Sequence, residues 1–117
     1  MAWAILAEMT APLIANLEKL LGTPRDGALL RYSLGSEYLK AGERGRGIEH
    51  LREALRRDPQ YSAAWKTLGR ALAEAGRTDE AREAYACGIE AARAKGDRQA
   101  EKEMTVFARR LERGRGA

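Results

Sequence analysis

TLGRALAEAGR, residues 67–77, has an echo upstream in SLGSEYLKAGE, residues 33–43. The two stretches begin 34 residues apart and share Leu-Gly near the front and Ala-Gly near the back. Around each, apolar and small residues recur on one helical face: Leu30, Leu34, Gly35 and Tyr38 at the upstream stretch, Trp65, Leu68, Gly69 and Leu72 at the downstream one. Gly42 and Gly76 follow the two runs, and glycine there terminates a helix.

The same spacing extends outward. Thr10 before Ala11-Pro12 reads as the start of a first helix carrying Leu13, Ile14, Leu17, Leu20 and Leu21, stopped by Gly22-Thr23-Pro24. A second helix is expected over Ala28–Ala41. A third, about Gly45–Arg57, buries Ile48, Leu51, Ala54 and Leu55 and ends at Asp58-Pro59, because the residue before proline is pushed out of the helical region. A fourth runs over about Ser62–Ala75. Thr78 reads as the N-cap of a fifth that reaches about Ala94. Gly96-Asp97 breaks and recaps the chain before a last helix with Met104, Phe107, Ala108 and Leu111 inside and charges elsewhere.

Composition agrees. The 117 residues are rich in Ala, Leu, Glu and Arg, which favours helix over strand. The net charge of +4 is too small by itself to imply nucleic acid. Cys87 is the single cysteine, so no disulfide can form within the chain, which fits a cytoplasmic setting. No apolar run reaches the roughly 18–20 residues of a membrane span. The opening MAWAILA has no basic residue before it and is short for a signal peptide. Its Trp3, Ile5 and Leu6 need a surface to bury them if they are ordered.

A fixed period near 34 with two helices per period signals a stacked helical array. The pattern resembles the tetratricopeptide repeat, whose helix pairs carry W-x2-L-G-x2-Y, then A-x3-F, then a closing proline. Residues 28–61 read Arg31-x2-Leu34-Gly35-x2-Tyr38, then Gly47-x3-Leu51, Ala54 and Pro59. Residues 62–95 read Trp65-x2-Leu68-Gly69-x2-Leu72, then Ala81-x3-Tyr85 and Gly88. The informative departures are Arg31 for the aromatic, Gly47 for an alanine, and Arg93 for the closing proline, so the fifth helix should outrun the third. Gly35, Gly69 and Gly88 are expected where paired helices approach too closely for a side chain.

Leu13, Leu17 and Leu20 lie 34 residues before Gly47, Leu51 and Ala54, so residues 10–27 read as the second half of a repeat. Residues 97–113 read as a capping helix, 114–117 as a frayed tail, and 1–9 as an N-terminal extension, disordered or from an upstream start. The resemblance implies an all-α solenoid of about six antiparallel helices with a C-terminal cap.

Catalysis has little support. His50 is the lone histidine and reads as a surface or edge residue; Cys87 reads as small and inert. No Cys/His cluster has zinc spacing. GERGRG, residues 42–47, lacks both the preceding strand and the Gly-Lys-Ser/Thr of a phosphate loop. The tail ERGRGA has no interleaved aromatics on which bases would stack. No catalytic, cofactor or metal site is expected, and neither is a nucleic acid or membrane partner.

The resemblance implies instead a non-catalytic protein–protein interaction module. In the family, the first helix of each pair lines a concave groove that binds peptides or protein segments. On the second helix that face carries Leu29, Tyr32, Ser33, Ser36, Leu39 and Lys40; on the fourth, Ala63, Lys66, Thr67, Arg70 and Glu74. Lys40, Lys66 and Arg70 outnumber Glu74, so an acidic segment is the expected partner. Tyr32, Ser36 and Thr67 stand where some members carry a lysine–asparagine carboxylate clamp, so a chaperone-type clamp is not expected. The alternative is a self-assembling scaffold, a homo-oligomer built through the array face or MAWAILA.

Overall fold

The computed structural model describes residues 2–116, and the side chains of residue 5 and residues 11–114. Among them are six helices and no strand: α1 (Ala2–Glu18), α2 (Ala28–Lys40), α3 (Arg44–Arg57), α4 (Ser62–Glu74), α5 (Thr78–Lys95) and α6 (Arg98–Gly116). They divide into two units between Asp58 and Pro59. Among the described residues, no helix is long and apolar enough to cross a membrane.

In the first unit α2 packs against both α1 and α3. Ile14, Leu30, Leu34, Tyr38 and Ala41 form the buried cluster, with Leu17, Leu20 and Leu21 packed on it. The α2–α3 crossing is close because both helices bring a glycine to it. A Cβ on Gly35 would lie 3.0 Å from the Gly47 carbonyl oxygen and 2.8 Å from Leu51 Cγ. A Cβ on Gly47 would lie 3.0 Å from the Gly35 carbonyl oxygen. The glycine at 47 in place of the usual alanine is thus explained by backbone on backbone. Asp26 fixes the α1–α2 loop: Arg31 grips its carboxylate in two bonds of 2.9 and 3.0 Å, and the Gly22 N–H donates to it at 2.9 Å. Arg31, at the position of the repeat's aromatic, therefore anchors its helix by an ion pair.

In the second unit α5 packs against α4 and α6, and α6 also touches α4. Tyr85, Ala92, Ala100 and Met104 are buried, with Trp65, Ile89, Phe107, Ala108 and Leu111 packed around them. Gly69 makes room for the Tyr85 ring, which a Cβ there would meet at 2.4 Å. Trp65 Nε1 donates to the Pro59 carbonyl at 2.7 Å. The carbonyls of Asp26 and Gln60, 34 residues apart, each accept from a cation on the second helix of their pair: Arg57 at 2.6 Å and Lys95 at 3.1 Å. At 18 residues α5 does outrun the 14-residue α3, as the missing proline implied.

Four boundaries differ from those the sequence implies, the first being that α1 stops at Glu18, so Leu20 and Leu21 lie in the turn before Gly22. The helix expected from Thr10 begins at Ala2, because the start, with Ala2, Ala4, Leu6, Ala7, Glu8 and Met9, is itself rich in good helix formers. Pro12 then lies inside α1, where its missing N–H leaves one i→i−4 bond unmade. Ile5 is 58% exposed, and the side chains of Trp3 and Leu6 lie outside the described residues. Thr78 is the first residue of α5 and not its cap. The chain turns through Gly76 at φ +77°, and the Arg77 N–H bonds the Leu72 carbonyl at 2.9 Å, so α5 starts at once without a side-chain cap. The final helix reaches Gly116; Ala117, the last residue of the expected frayed tail, lies outside the described residues. Asp97 does recap the chain, its carboxylate accepting the Ala100 N–H at 3.1 Å.

Candidate binding faces on the first helices

On α2, Leu29, Tyr32, Ser33 and Ser36 fall on successive turns of one face. Leu29 is 69% exposed, while Tyr32, Ser33 and Ser36 are half-buried. Leu39, expected to line the same face, is spent on packing. It covers Gly47, where a Cβ would meet its Cγ at 2.8 Å. Lys40 is exposed, and Glu37 holds its Nζ at 3.1 Å.

On α4, Lys66, Arg70 and Glu74 make a stripe at four-residue steps beside Ala63. Lys66 bonds Glu103 of α6 at 3.2 Å. Glu103 also accepts from Gln99 at 3.3 Å. Thr67 is buried at 8% exposure, so its expected surface role is corrected: its position faces inward beside Leu68. Arg70 and Glu74 are exposed, and among the described residues Arg70 has no ion-pair partner. Of the three cations on these faces, Lys40 is answered by Glu37 and Lys66 by Glu103. Glu37 was legible as an i,i+3 neighbour of Lys40, whereas Glu103 comes from a different helix.

His50 is not a plain surface residue. Its ring stacks on Tyr38 with centroids 5.5 Å apart and planes 3° apart, and its Nδ1 is buried without a hydrogen-bond partner among the described residues. Burial, and next Arg31, holds its pKa below the ordinary 6.5. Tyr38 in turn donates to Glu18 and lies under the Arg46 guanidinium. Burial first, and then Glu83 and Glu90, raise the Cys87 thiol, the opposite of what a nucleophile needs. Among the described residues no group of three His, Cys, Asp or Glu side chains is placed to hold a metal ion.

Residues 32–97 match the family model described as tetratricopeptide repeat. The chain is 50% identical over 103 residues to the TPR repeat-containing protein PA0015 of Pseudomonas aeruginosa, covering 88% of this chain and 98% of that one. It resembles the solution structure of BPP2914 from Bordetella parapertussis, with 42% identity, a TM-score of 0.75, and coverage of 86% of this chain and 88% of that one. A tetratricopeptide repeat domain protein from Salinibacter ruber is 31% identical with a TM-score of 0.71, over 74% of this chain and 88% of that one. The Sgt2 TPR domain of Aspergillus fumigatus, at 22% identity and a TM-score of 0.74 over 97% of this chain and 76% of that one, shares the fold.

Proposed function

Because the chain belongs to the tetratricopeptide-repeat family, whose members are generally protein–protein interaction modules and typically non-catalytic, we propose that it holds an extended polypeptide segment against the first helices of its pairs. The observation that carries this reading is Leu29, which stands 69% exposed on α2 beside two serines and a tyrosine. The apolar surface it leaves uncovered is available for a partner to bury. On α4, Arg70 supplies an uncommitted cation, so an acidic segment is the proposed partner, with Lys66 available once a partner carboxylate competes with Glu103. Little ordering is lost when a segment docks on a preformed helical face. The single thiol suits a cytoplasmic setting.

The test is a selection of peptides from a random library on the immobilised protein, repeated with Leu29→Asp and Arg70→Glu. Both positions are exposed, so the fold tolerates both changes. Selected peptides should be acidic and lose about tenfold in affinity with each variant, about 1.4 kcal/mol. Peptides that bind both variants like the wild type would place the site elsewhere.

A further inference from the structure

Helices α5 and α6 run antiparallel, with Arg93 paired to Glu101 at one end and Arg82 to Glu112 at the other. Between them lies a surface groove of about 540 Å³, floored by Ala86, Ile89 and Ala108. The three acids of α6 are all drawn inward: Glu101 to Arg93, Glu103 to Lys66 and Glu112 to Arg82. Its cations Lys102, Arg109 and Arg113 remain exposed, and among the described residues none has an ion-pair partner. Across the groove, Glu83 and Glu90 of α5 are exposed and likewise unpaired among the described residues.

The two ridges have the same spacing. Asp79, Glu83 and Glu90 stand four and then seven residues apart. Arg113, Arg109 and Lys102, read backwards as the antiparallel helix requires, also stand four and then seven apart. Steps of four and seven keep each set on one helical face. Asp79 already pairs with Arg82, so Glu83 and Glu90 carry the acidic side.

We propose that this face is self-complementary and receives a second copy of the chain. A twofold axis running along the helices lays α5 of each copy against α6 of the other. Glu83 then faces Arg109 of the second copy and Glu90 faces its Lys102, and each pairing occurs twice, as an isologous contact demands. An axis across the helices would set acid on acid, so the charge pattern selects one geometry. Ala86, small, and Val106, 40% exposed, lie between the charges and let the ridges meet.

The full chain is followed by sedimentation equilibrium at about 0.02 M and about 0.5 M salt, which separates a charge-driven contact from an apolar one. Wild type should associate as a dimer at low salt and weaken at high salt. Glu83→Lys with Glu90→Lys, or Lys102→Glu with Arg109→Glu, should each weaken self-association about tenfold or more. An equimolar mixture of the two reversed proteins should restore the dimer, because each then meets its opposite. All four positions are exposed, and circular dichroism checks that folding survives. A wild type that stays monomeric, a dimer indifferent to both reversals, or a mixture that does not recover would each overturn the proposal.

Discussion

Gly88 and Met104 occupy what would otherwise be one space: a Cβ on Gly88 would stand 2.4 Å from Met104 Sδ and 2.7 Å from Trp65 Cβ. The two contacts differ in kind. A methionine terminus can swing aside, but Trp65 Cβ is fixed to the backbone of α4. Three helices therefore meet at a residue without a side chain, and α6 belongs to the core of its unit.

Gly88→Ala sets two effects against each other. Alanine improves helix propensity by about 1 kcal/mol over glycine. Overpacking a filled core costs about 1–3 kcal/mol, and here the helices must separate. Because Trp65 Cβ cannot move away, the cost lies at the upper end, about 2–3 kcal/mol, and urea melts should show a net loss of about 1–2 kcal/mol. An alanine variant as stable as wild type would mean that α4, α5 and α6 are not packed this closely.

Leu68 and Lys66 lie two residues apart with opposite roles. Leu68 is 1% exposed, so Leu68→Ala should cost about 2–5 kcal/mol. Lys66 is a third exposed and paired with Glu103, so Lys66→Ala should cost about 0–1 kcal/mol, screened by salt. Equal losses in denaturant melts would mean that α4 is rotated from this assignment.

The repeat signal and the two-helix period were legible because close helix crossings constrain single positions. Gly35, Gly69 and Gly88 each mark a place where a Cβ would collide, and the resemblance to the repeat located them. The absent proline at 93 likewise foretold the length of α5. What periodicity does not encode is the rotation and commitment of polar side chains between helices. Leu39 lies on the face assigned to binding, yet it covers Gly47; Lys66 is answered by a residue 37 positions away. Arg31 stood out as a departure, but its partner Asp26 depends on the path of a loop.

Acid should destabilise the protein in two steps. His50 is held neutral when folded, below its ordinary 6.5, so the unfolded chain takes the proton first and stability falls as pH drops below that value. The Arg31 guanidinium, and then the Gly22 N–H, hold the Asp26 carboxyl well below its ordinary 3.8. Its contribution is complete above 3.8 and is lost as pH falls toward the folded value. Thermal melts across this range should show both losses. His50→Phe, which keeps a ring on Tyr38, should flatten the upper step, and Asp26→Asn the lower. Variants with the wild-type pH profile would remove these two groups from the account.

The proposed binding faces lie on α2 and on α4. The most direct measurement is a nitrogen–proton correlation spectrum of the labelled protein, titrated with an acidic peptide from the selection. The prediction is that the largest amide shifts fall in Leu29–Lys40 and Ala63–Glu74, and weaken as salt rises. Shifts confined to α3 or α5, or unchanged by salt, would contradict it.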